Sequence, residues 1–259
     1  MGHQRAAFEV FTQLFTPESA MQSPTGRMIF AWYARFDVFV GIMGRFETAL
    51  PRVWFSTFVE YCDSQAAAEP EKPVWKIEAC SARLRLISME MSILFSKGAR
   101  SELSGDAYFA EHQRLAKELQ DWKDGWDPAL TDPALLVTEF SNERALYPND
   151  DIVNPFAPGV LFKQPLFAST LLTCEWHSIV IMHESQAGML ADEDQPPNLG
   201  ERAYAICQIF EAIELWTSAP NGSLFVTQAC LAIAALFVPR DTRHHMWIRR
   251  KFALLEAMG

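Results

Sequence analysis

A chain of 259 residues, 49% of them hydrophobic and with a mean hydropathy of -0.01, carries enough apolar side chain to bury a large core, which excludes a disordered polymer. Its formal net charge of -10 repels phosphate backbones, so no direct DNA contact is expected of it. Five scattered cysteines, Cys62, Cys80, Cys174, Cys207 and Cys230, read as reduced thiols and point to the nucleus or cytoplasm.

In chain order, the opening MGHQRAAFEVF lacks the apolar run of a secretory signal, and Ala6–Phe15 reads as a short helix. The central helix follows, from about Thr25 to Ala49. At about 100° per residue, Met28, Trp32, Phe36, Phe39, Met43, Phe46 and Leu50 share a broad stripe. Phe30, Tyr33, Val38 and Ile42 extend the apolar surface around the rest, and a helix apolar all round is expected inside the protein. Asp37, Gly41, Gly44 and Thr48 form its one small, polar strip, where another backbone could approach. Arg35 and Asp37 lie two apart, on different faces. Each therefore needs a partner from another element, by default in an ion pair, or else a ligand in a cavity. These charges, with Arg45 and Glu47, interrupt the segment too often for a membrane span, and Leu224–Val238 is too short for one.

Pro51 suits the first turn of a helix through Val53, Phe55, Phe58 and Cys62. Ile77, Cys80, Leu84, Ile87, Met91 and Leu94 mark a regular helix over Trp75–Lys97. Tyr108 to Trp126 is a charged surface helix. From Asp127 to Gln164 the chain is proline-rich and irregular, with at most one short helix near Ala134–Phe140; long ordered loops of this kind are often functional. Leu166–Met189, Asn198–Trp216, Leu224–Phe237 and a last helix capped by Asp241 or Thr242 complete the pattern. The expected fold is all-α, a single large domain over residues 1–259 with roughly nine helices.

Chemistry is sparse. Without Cys-x-x-Cys, His-Glu-x-x-His or a glycine-rich phosphate loop, neither a metal nor a cofactor is expected. Cys174 and His177 could share a helix face beside Glu175; a packed thiol and a hydrogen-bonded imidazole is the default there. The acidic sets Asn149–Asp151 and Asp192–Asp194 read as solvated turns rather than magnesium sites. His244 and His245 adjoin no nucleophile elbow, so no catalytic residue is assigned. Arg240, Arg243, Arg249, Arg250 and Lys251 are spread around the last helix and are expected to pair with the chain's excess carboxylates. The ligand-binding candidates are Arg35, Asp37, Glu175 and His177.

Four segments nevertheless look familiar: RMIFAWYARFDVFVGIMGRFETALPRVWF, LLTCEWHSIVIMH at Leu171–His183, CQIFEAIELW at Cys207–Trp216 and LFVPRDTRHHMWIRRKFALLE at Leu236–Glu256. Together they resemble the regulatory region of fungal binuclear zinc-cluster transcription factors. The resemblance implies an all-helical domain that regulates transcription in the nucleus through other proteins or a self-oligomer, or by sensing a small apolar metabolite. The family's six-cysteine zinc module is missing from the pattern, since Cys62 alone precedes Cys80. The chain is then a fragment or a stand-alone domain without DNA binding. The rival expectation is an enzyme of secondary metabolism on the same scaffold, acting on an apolar, isoprenoid-like substrate; a third is an inactive paralogue that oligomerises with the full-length factor.

Overall fold

The computed structural model describes residues 2–147, 149–191 and 198–258. The acidic set Asp192–Asp194 lies outside them. The described residues form ten α-helices and two 3-10 turns, with a lone antiparallel bridge between Leu136 and Phe162, so the fold is all-α as expected. The chain divides into two compact units, Met1–Asp127 and Pro128–Gly259.

The first unit holds α1 (Gly2–Leu14), α2 (Pro17–Gln22), α3 (Pro24–Gly44), α4 (Arg52–Ala68), α5 (Pro73–Ala99) and α6 (Gly105–Asp124). The sequence reading passes over α2, although its start signal is present. Thr16 accepts from the Ser19 amide and Ser19 from the Thr16 amide, a reciprocal cap with Pro17 in the first turn. Ser23 caps α3 in the same way, accepting from the Gly26 amide, with Pro24 following.

The central helix ends at Gly44, short of the expected Ala49. Arg45 turns left-handed (φ 55°), and the Phe46 amide reaches back to the Gly41 carbonyl at 2.9 Å, closing the terminus. Gly41 also confirms the close approach expected on the polar strip. A Cβ there would lie 3.0 Å from the Phe46 carbonyl and 3.1 Å from the Ser92 Cβ of α5.

α5 runs through the middle of this unit, packing against α3, α4 and α6. Phe11, Phe30, Trp54, Phe55 and Phe58 make an aromatic core between α1, α3 and α4. Phe30 meets Phe58 edge-on at 5.0 Å, and Phe11 lies 4.9 Å from Trp54. α6 is the charged surface helix its pattern predicts. Leu115, Leu119 and Trp122 face inward, while Arg114 on its outer side bridges Glu111, Glu118 and Glu90.

The second unit opens with the irregular stretch. Val137 donates to the Leu161 carbonyl and Lys163 to Leu135, while Phe140 packs edge-on against Phe156. α7 (Phe167–Ala191), α8 (Asn198–Leu215) and α9 (Ser223–Ala234) then pack pairwise, and α10 (Thr242–Met258) closes the unit.

Asn149 and Asp150 form the exposed turn expected, but Asp151 does not share its exposure. Asp151 is buried and clasped by the Arg144 guanidinium at 2.7 and 3.0 Å and by the Tyr147 amide at 2.7 Å. Its pairing with Arg144 holds its carboxyl below the usual range. Of the five cations expected to pair with carboxylates, Arg250 and Lys251 do so, and Arg243 bonds a backbone carbonyl instead. Arg243 donates to the Asp151 carbonyl, Arg250 bonds Asp150, and Lys251 reaches Glu211 and Glu214.

Candidate functional site

Three side-chain settings are candidates for a functional site, and each forms within one unit.

The first is α3, expected inside the protein all round but exposed along one side. Phe30, Tyr33, Ala34, Asp37, Val38, Gly41 and Ile42 recur by three and four and are buried. Asp37 and Gly41 of the polar strip therefore face the core, while Gly44 is exposed. Met28, Trp32, Phe36 and Met43 lie on the opposite side and are 67, 71, 44 and 58% exposed. Of the broad stripe read from the sequence, Phe39 and Leu50 are inside; the rest is not a core face. The reason is geometric. α1, α2, α4 and α5 supply neighbours for one side of the helix, and the small residues on that side allow the closer approach. The Trp32 and Phe36 rings stack on each other at 6.5 Å and an interplanar angle of 8°.

Within the same helix Asp37 is fully buried. Among the described residues it is held by hydrogen bonds rather than by the expected cation. The Ala49 amide donates to Oδ1 and the Leu50 amide to Oδ2, each at 2.9 Å, and the Gln4 side chain donates to Oδ1. Burial pushes its carboxyl above the usual range, against the pull of those three donors. Both oxygens are thus occupied by the chain's own groups, and the geometry is that of a clasp tying α1 and the α3–α4 connection to α3. Arg35 is half-buried, its guanidinium 6.0 Å from the Phe39 ring.

The second setting is α7. Cys174 and Glu175 are buried, and the half-buried His177 ring lies 4.9 Å from the Trp176 ring. Glu175 and His177 belong to the second unit, Arg35 and Asp37 to the first, so neither unit brings the four together. No group of three His, Cys, Asp or Glu side chains among the described residues is placed to hold a metal ion.

Of the third setting only the Asp241 cap is expected from the sequence. Asp241 caps α10, accepting the His244 amide at 2.9 Å, and the same carboxylate contacts His244 Nδ1 at 2.8 and 2.9 Å. His244 Nε2 lies 2.7 Å from the hydroxyl of Tyr204 on α8. Tyr204 in turn lines a solvent-open cleft of about 470 Å³, with Gly200 beside it and the Leu236–Arg240 turn opposite. The Asp-x-x-His spacing at the cap is a visible signal. Tyr204, far away in the chain, is not. Comparison of the chain with family models, with curated proteins and with solved structures finds no match.

Proposed function

We propose that the chain is a regulatory helical domain of the fungal transcription-factor kind, acting in the nucleus by docking other proteins on the exposed face of α3. The observation that carries this reading is the row Met28, Trp32, Phe36 and Met43. With Ile29 it leaves roughly 600 Å² of apolar side chain in water, the upper end of what an ordinary monomer exposes. Such patches mark contact sites, and Trp and Phe are the side chains that anchor them.

The shape and charge of the face narrow the partner. From Met28 to Met43 it is roughly 22 Å long and one helix wide, which suits an amphipathic helix laid along it. α3 and its cap carry three cations, Arg27, Arg35 and Arg45, and one carboxylate, the buried Asp37. Acidic flanks on the partner helix complement that balance. A second copy presenting the same face would set these cations against their own kind and is the poorer match. The enzyme alternative would need a closed apolar cavity, whereas the cleft beside Tyr204 is open to solvent and partly polar.

The test is a reporter gene onto which the chain is tethered by a foreign DNA-binding module. The wild-type chain is expected to change transcription. Trp32→Gln/Phe36→Gln should lose about half or more of that change, because exposed aromatic anchors carry most of a docking energy. A reporter indifferent to the wild-type chain, or an equal response from the variant, would overturn the reading.

A further inference from the structure

The cleft of the second unit contains a chain of polar groups for which the α3 surface has no use. An ionised carboxylate only accepts, so the two contacts of Asp241 place the proton of His244 on Nδ1. Nε2 then has two possible relations to Tyr204. In the neutral ring it accepts the phenol's hydrogen, and the hydroxyl is turned inward. In the imidazolium it donates to the phenol oxygen, and the hydroxyl hydrogen is released toward the cleft that Tyr204 lines. Burial holds the Tyr204 hydroxyl above its ordinary range, so it remains a donor throughout.

The wall opposite supplies a cation. Arg240 is exposed and makes no hydrogen bond or ion pair among the described residues, although the chain carries ten excess negative charges. Asp241, the carboxylate next to it, is occupied by His244. Arg243 adds positive charge that acts on Tyr204. Leu236, 61% exposed, and Pro239 line the remaining wall with apolar surface.

We infer that this cleft binds a small organic carboxylate with an apolar body, its oxygens held by Arg240 and the Tyr204 hydroxyl, and that binding draws a proton from solvent onto His244. The proton enters at Nε2, the phenol keeps its own, and the carboxylate stays ionised, so charge balances between ligand, imidazolium and Asp241. Asp241 at its own helix and Tyr204 from α8 contact His244, while Arg243, Asp241 and Cys207 act on Tyr204. Binding therefore strengthens as pH falls.

Calorimetric titration of the whole chain with sodium benzoate tests this. Saturable binding is expected, tighter by roughly 10-fold or more at about pH 6 than at about pH 8, since only the imidazolium turns the phenol hydrogen toward the cleft. Tyr204→Phe keeps the ring but has no hydroxyl to turn, so it should weaken binding and flatten its pH dependence. Arg240→Gln should weaken binding by roughly 10-fold and keep that dependence. Gly200→Leu should abolish binding with the fold intact, because a Cβ at Gly200 meets nothing nearer than the Phe237 carbonyl at 3.9 Å and a larger side chain grows into the cleft. No saturable binding by the wild-type chain would overturn the inference. So would equal affinity at the two pH values, equal affinity for inorganic phosphate, or indifference to Gly200→Leu. The α3 proposal uses residues of the other unit and is read by a reporter, so neither failure entails the other.

Discussion

Asp37→Ala is expected to lower the free energy of unfolding by about 3–5 kcal/mol. The substitution removes a fully buried carboxylate and with it the acceptors of the Ala49 and Leu50 amides and of the Gln4 side chain. Leu50 is 1% exposed, so its amide has no route to water, and a buried donor left unpaired costs about 1–3 kcal/mol. The clasp also fixes where the chain turns after the left-handed Arg45, so its loss releases the connection to α4 as well as three hydrogen bonds. Asp37→Asn keeps one acceptor but presents an NH2 group to an amide N–H, and should fall between alanine and wild type. Urea unfolding of the two variants measures this. A loss below about 1 kcal/mol for alanine would show that water reaches the amides.

Lys251→Met should cost a similar amount, about 3–5 kcal/mol, through the partner it abandons rather than the bond it breaks. Lys251 Nζ lies 3.0 Å from Glu211 and 2.8 Å from Glu214, and Glu211 also accepts from the Trp247 indole at 2.9 Å. Glu211 is 3% exposed. With the ammonium gone, that carboxylate must stay charged in a dry setting or take up a proton. Adding Glu211→Gln removes the stranded charge and keeps an acceptor for Trp247. The double variant should therefore recover about 1–3 kcal/mol relative to Lys251→Met alone. A double variant no more stable than the single one would mean that packing of the lysine stem, not charge, holds α10 to α8.

These two settings show what spacing along the chain can and cannot reveal. Periodicity located α5, α7, α8, α9 and α10 well, because each has an apolar face next to a plainly polar one or lies between proline and glycine stops. The expected pairing of the C-terminal cations with carboxylates holds for Arg250 and Lys251. On α3 it failed in a specific way. Period 3.6 tells which residues share a face, but both faces of α3 are apolar, and a helix apolar all round reads as wholly buried. The inward face is instead the one where Asp37 and Gly41 let α5 and the α3–α4 connection come close. That choice depends on hydrogen bonds to Ala49 and Leu50, which no apolar pattern records.

The Tyr204–His244 contact was hidden for a different reason. Asp241 and His244 are neighbours at a helix cap, but Tyr204 reaches them only because α8 and α10 meet in the folded unit. Asp151 was misread for want of the same tertiary knowledge, since Arg144 and the Tyr147 amide close around it within the irregular stretch. Of the four residues picked out as ligand contacts, Arg35 and Asp37 fall in one unit and Glu175 and His177 in the other.

The most direct measurement is the unfolding free energy of Trp32→Gln/Phe36→Gln. If the outer face of α3 is a docking surface and not part of the chain's own packing, the variant should match wild type within about 0.5 kcal/mol, as surface substitutions do. A loss of about 3 kcal/mol or more, the cost of emptying a packed aromatic site, would make that face part of the core and contradict the proposed role.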